Sequence, residues 1–218
     1  QTLMRKLSRV SKRLAAVLAL VCGLSHISTG SAAFLVRDDT GFSDITLTFM
    51  GDCILGSEES SRARPDSFDS VIAEKGLDWP FSGVQHILSA DDLSIINLEG
   101  VFQDDRRDRA DGKQHWFRGP TAFAGILPAG SIEIAGLANN HVRDYGQRGH
   151  DSTRKALEDA GVGRFGYGEL WTYEKDGFTI GFGGIRETTW RQKRGRPGEE
   201  IAKLREMGAD YVVYTIHA

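Results

Sequence analysis

Apolar and polar positions along the chain follow two periods. Residues 45–50 (ITLTFM) are β-branched and aromatic, are followed by Gly51, and read as a strand. Residues 93–98 (LSIINL) are apolar nearly throughout, the pattern of a strand with both sheet faces covered. Residues 132–138 (IEIAGLA), 178–183 (FTIGFG) and 211–216 (YVVYTI) supply three more strands. Between these runs the period lengthens. Ala156, Leu157 and Ala160 stand at helical spacing over 151–160, with Gly161 as a C-cap, and Ile201, Leu204 and Met207 share a face before Gly208. Strands alternating with helices predict a layered α/β domain. Residues 34–44 are polar and turn-rich and read as a linker, residues 103–114 as a charged loop, and no internal repeat is present.

The first 33 residues differ from the rest. They carry five cations (Arg5, Lys6, Arg9, Lys12, Arg13) and no acid, then an 11-residue apolar run (LAAVLALVCGL, 14–24) and a small-residue stretch ending Ser31-Ala32-Ala33. This is the layout of a secretory signal, with cleavage expected before Phe34 and an extracytoplasmic destination. The run is short of the ~20 residues that span a bilayer. An uncleaved amphipathic or anchoring helix is the second reading of the leader. Cys22 invites a lipoprotein reading that the bulky Val21 before it disfavours. The whole chain has 27 Lys and Arg against 30 Asp and Glu, net −3. Removing the leader's five cations leaves 22 against 30, net −8, a balance that argues against a nucleic-acid partner. With 40% apolar residues and five prolines, the chain is neither disordered nor collagen-like. Cleavage would leave Cys53 without a disulfide partner, either a thiol activated beside Asp52 or a small apolar filler at a strand end.

Ligands of open α/β sheets sit beyond the carboxyl ends of strands. Gly51-Asp52 follows the first predicted strand, Asn97-Leu98-Glu99-Gly100 the second, Asn139-Asn140-His141 the third, and His217 the last. Oxygen and nitrogen donors at four strand ends suit a divalent metal. Each has a plainer reading as well. Gly-Asp is a common turn, Asn97 and Glu99 could cap a following turn or helix, and Asn-Asn-His could be an Asx turn with Asn in the left-handed region. His86 reads as a surface or packing residue of a helix, and His150 as a structural residue at a helix start. Residues 113–120 (KQHWFRGP) mix cations with aromatics near the same edge, which makes Lys113, His115 and Arg118 candidate contacts for an anionic substrate; a packed loop is the equal alternative.

The run Phe49-Met50-Gly51-Asp52-Cys53-Ile54-Leu55-Gly56, then Ile96-Asn97-Leu98-Glu99-Gly100, Leu137-Ala138-Asn139-Asn140-His141, Asp144-Tyr145-Gly146 and Gly166-Tyr167-Gly168, resembles the CapA-like poly-gamma-glutamate capsule synthesis proteins of the calcineurin-like metallophosphoesterase superfamily. The resemblance covers about residues 45–217. It implies a metallophosphoesterase-like α/β/β/α sandwich over 45–218, incomplete at its C-terminal end. It also implies a divalent ion (Mn, Mg, Zn or Fe) held by Asp52, Asn97, Glu99, Asn140, His141 and His217, with Asp52 and His141 as the catalytic pair. The superfamily's Asp-x-His is here Asp52-Cys53-Ile54, one imidazole fewer, which points to a single-metal or degenerate centre. The expected activity is a metal-dependent hydrolase or transferase acting on an anionic surface polymer or its precursor, with local cations (Lys113, Arg118, Arg143) and the ion offsetting the acidic body. Two alternatives remain at this level: a non-catalytic polymer-binding or scaffold component of a membrane synthase complex, and a generic secreted phosphoesterase.

Overall fold

The computed structural model describes the backbone strand Ala32–Val36 and residues 44–218. Apart from Ala32 and Ala33, the leader read over 1–33, with Cys22 and His26, lies outside the described residues. Five strands form the larger sheet in the order β1 (Ala32–Val36), β2 (Ile45–Cys53), β4 (Leu93–Leu98), β7 (Ile134–Gly136) and β8 (Gly163–Phe165). β2, β4, β7 and β8 run parallel, and β1 pairs antiparallel on the outer edge of β2. A second sheet has the order β11 (Tyr211–His217), β10 (Phe178–Arg186), β9 (Trp171–Lys175), with β10 and β11 parallel. Three short strands, β3 (Ser57–Glu58), β6 (Phe117–Gly119) and β5 (Val101–Phe102), make a small third sheet.

Two cores explain the layering. Leu93, Ile95, Ile134 and Phe165 of the large sheet meet Ile180 and Phe182 of β10, so the two sheets pack face to face. On the other face of the large sheet, Ile96, Leu98, Ala135 and Leu137 meet Ile72 of the helix Phe68–Lys75, Ile126 and Leu127 of Ile126–Ala129, and Ala156 and Leu157 of Gly146–Asp159. Ile126, Leu127 and Leu157 are fully buried. Each contributes about 1.5–3 kcal/mol of transfer free energy. The helix Arg196–Glu206 lays Leu204 against Gly181 of β10 on the far side of the second sheet. The result is the α/β/β/α order that the sequence resemblance implies, and the fold is metallophosphoesterase-like.

Several bounds differ from the sequence reading for local reasons. The expected linker opens with the last three residues of β1, because Phe34-Leu35-Val36 can satisfy the backbone edge of β2. The third strand is confined to Ile134–Gly136, since Asn139 N–H turns back to the Leu137 carbonyl. The helix expected from 151 begins at Gly146; its buried face includes Gly149, His150 and Thr153, whose small or polar side chains hide the apolar period. Thr153 Oγ1 donates to the Gly149 carbonyl (2.8 Å) and accepts Phe102 N–H (2.8 Å), tying this helix to β5. The second predicted helix begins at Arg196 rather than 199, where Pro197 suits the first turn.

Candidate metal and acid–base site

The carboxyl ends of β2, β4, β7 and β11 share one edge, and a register irregularity aims the first acid. Phe49 pairs with Ile95 and Asp52 with Asn97, so β2 advances three residues while β4 advances two. Such a bulge re-aims a side chain. It returns Asp52 to the face of Phe49, toward the second sheet, whereas Met50 and Cys53 pack on the helix-side core. On β4, simple alternation places Asn97 on the same inter-sheet face as Leu93 and Ile95, with Ile96 and Leu98 on the other. Asp52 is therefore a residue of β2 rather than of the turn after it.

Four of the six expected donors, Asp52, Asn97, His217 and Asn140, are linked by direct hydrogen bonds, and Glu99 faces the two histidines. Asn97 Nδ2 lies 2.6 Å from Asp52 Oδ1 and 3.1 Å from His217 Nδ1. His217 Nε2 lies 2.6 Å from Asn140 Oδ1 and 3.9 Å from Glu99 Oε1. His141 Nε2 is 3.7 Å from the same Glu99 oxygen. His141 Nδ1 is 2.7 Å from Oδ2 of the fully buried Asp144, so Nδ1 carries a proton and Nε2 faces Glu99. Phe117 tilts against the His141 ring at 4.5 Å and gives its N–H to Asp144 (2.7 Å). Burial first, then the neighbouring Asp52 carboxylate, raises Glu99 above the usual carboxylate range. A cavity of about 190 Å³ beside Asp52, Asn97 and His217 runs between the sheets, walled by Phe49, Ile95 and Phe165.

The expected substrate contacts have other occupations. Arg118 is buried, its guanidinium bonded to the Gln103 carbonyl (2.7 Å) and to Glu59 (3.3 Å), which favours the packed-loop reading, a structural tie under the third sheet, over a substrate contact. Lys113 spans the Asn140 carbonyl (2.8 Å) and Asp144, holding the histidine loop from below. His115 is exposed, pairs with Glu58 at 3.0 Å and stacks on Phe117. Arg143 is exposed, with its guanidinium over the Tyr167 ring at 4.6 Å. His86 sits in the short helix Gln85–Leu88, and His150 is buried against Tyr167. Neither Asn139 nor Asn140 takes the left-handed conformation. An Asx turn does form: Asn139 Oδ1 accepts His141 N–H at 2.9 Å and so orients the imidazole loop. Sequence reasoning left Asn139 and Asp144 out of the site, although both lie within three residues of His141.

The donor chemistry fits a divalent cation. Two carboxylates face one space, and the basic side chains beside them among the described residues are His141 and His217, not any Lys or Arg. As placed, these groups bond to one another, and among the described residues no group of three His, Cys, Asp or Glu side chains is set to hold a metal ion.

A family model described as "Bacterial capsule synthesis protein PGA_cap" matches residues 46–218. "Capsule biosynthesis protein CapA" of Bacillus anthracis is 27% identical over 148 residues, 66% of this chain and 34% of that protein. The "Probable polyglutamine synthesis accessory protein" of Mycobacterium tuberculosis, in strains CDC 1551 / Oshkosh and ATCC 25618 / H37Rv, is 30% identical over 137 residues, 55% of this chain and 36% of theirs. The chain spans about a third of the length of these curated relatives. Because the match runs from the first long strand of the large sheet to the strand that carries His217, the chain belongs to the bacterial capsule synthesis protein PGA_cap family.

Proposed function

We infer that this domain acts in the synthesis or export of an anionic surface polymer of the poly-gamma-glutamate kind, as a metal-dependent hydrolase or transferase on the polymer or a precursor, outside the cytoplasm. The observation that carries this reading is the pair of carboxylates, Asp52 and Glu99, without a Lys or Arg partner among the described residues, beside an imidazole whose Nδ1–H is fixed by a buried acid. The carboxylates of Asp52 and Glu99 would hold a divalent cation, with Asn140 and His217 beside them. When bound, such an ion supplies Lewis-acid charge at the scissile oxygen. His141 Nε2 takes or returns the proton, since Asp144 keeps the other nitrogen protonated. The names of the relatives and the basic, apolar leader support the polymer and the compartment.

The mutual hydrogen bonding of the site favours a second reading, a non-catalytic polymer-binding or scaffold component of a synthase complex, in keeping with the word "accessory" in the mycobacterial name. Elemental analysis of the full-length protein and chain-length measurement of poly-gamma-glutamate decide between them. The catalytic reading predicts a bound divalent ion that Asp52→Ala removes. It also predicts that His141→Ala keeps the ion and loses turnover by about 10²–10⁴-fold. A protein without metal whose action is untouched by either change rejects the catalytic reading. Polymer retention by a Glu99→Gln/His141→Ala double variant supports the binding one.

A further inference from the structure

Two backbone groups fix the polarity of the whole strand-end cluster. The Leu98 carbonyl can only accept, so the Asn139 atom 2.8 Å from it is Nδ2. The His141 N–H can only donate, so the other Asn139 atom, 2.9 Å away, is Oδ1. Two independent backbone partners thus give the same orientation for this buried carboxamide. Asn139 Nδ2 also meets Asn97 at 2.9 Å, and the atom it meets must be the oxygen. Asn97 therefore turns its nitrogen toward Asp52 Oδ1 and His217 Nδ1. His217 Nδ1 is then an acceptor, its Nε2 carries the proton, and Asn140 Oδ1 receives it.

We propose that Asn97 and Asn139 are positioning residues: Asn139 sets the amide polarity of Asn97, and Asn97, as a two-proton donor, holds the Asp52 carboxylate and the His217 ring in register. This replaces the expectation that Asn97 is a metal ligand, because its oxygen is committed to Asn139. An Asn at 97 without an Asn at 139 would be free to turn its oxygen toward Asp52, setting acceptor against acceptor.

The inference rests on Asp52 being the working acid of the site, but its main test is read on metal-free protein and needs no turnover. In full-length protein labelled with ¹⁵N-asparagine and held in EDTA, the side-chain amide signal lost in Asn97→Ser should show two protons protected from exchange. One of them should revert to the free-amide rate in Asp52→Ala, whose side chain is 56% exposed and whose removal leaves the core intact. Asn139→Asp, which offers only acceptors, should abolish both protections. It should also weaken Mn²⁺ binding by about 10–100-fold, the usual loss when a group that orients a metal ligand is removed. Free-amide exchange at Asn97 in the parent protein, or protection indifferent to Asp52→Ala, overturns the proposal. If Asn139→Asp does not fold, the Asp52→Ala comparison decides alone. Absence of Mn²⁺ binding with the amide signature intact would reject the catalytic reading above and leave this one standing.

Discussion

Cys53 shows how one residue's surroundings settle what its identity leaves open. Burial, and secondarily Asp52, pushes its thiol from 9.0 up to about 11, and its side chain packs against the helix-side core. A raised thiol pKa lowers the thiolate fraction at every pH below it, and two units correspond to about a hundredfold. Iodoacetamide at pH 8 should therefore alkylate the folded protein about a hundredfold more slowly than the urea-unfolded chain, with the difference closing as pH approaches 11. Equal rates would return Cys53 to the reactive reading. The same contrast between identity and surroundings runs through the site. Asp52, Glu99 and His141 were named from residue type at strand ends, where open α/β sheets bind their ligands. Asn139 and Asp144 were not, since each acts through another side chain. Arg118 was left open between substrate contact and packed loop, because a cation beside aromatics in the sequence gives no sign of whether its guanidinium is at the surface or under Gln103.

At the level of elements, close approaches of backbone decide where substitutions are tolerated. A Cβ at Gly119 would stand 2.3 Å from the Leu55 carbonyl and 3.0 Å from the Phe123 ring, at the seam between β6 and the loop leading to β3. Gly119→Ala should lower stability by about 1–3 kcal/mol or more, the range for overpacking. Gly198, in the helix Arg196–Glu206, has nothing within 4 Å of such a Cβ. Gly198→Ala should instead raise stability by up to about 1 kcal/mol. Urea midpoints of the two variants should move in opposite directions; movement in the same direction would contradict the packing described. The strands were the more legible elements, since β-branched and aromatic runs declare themselves. The start of the helix Gly146–Asp159 was hidden because it buries a His, a Thr and a Gly rather than an apolar stripe.

At the largest scale, the two main sheets of the described residues are held face to face by a core of aliphatic and aromatic side chains. Phe182 of β10 is fully buried, with Phe165 of β8 at 5.9 Å and Trp171 of β9 at 5.8 Å between ring centres. Phe182→Ala should cost about 3–5 kcal/mol. It should also loosen His217 from Asn97 and Asn140, since only inter-sheet packing brings β11 to the end of β4. Calorimetry gives the stability, and the His217 ring signals in NMR report the coupling; an unchanged His217 environment in a destabilised variant would show that the site does not depend on the sandwich. By itself the sequence determined the α/β class, the order of the main strands, the polar residues at their ends and the family resemblance, because each is written in short-range pattern. Only the tertiary structure decided that Asp52 is aimed by a bulge and that Asn97 donates to His217, 120 positions along the chain. It alone showed that Arg118 is interior, because hydrogen-bond polarity and burial belong to partners that chain order does not place together.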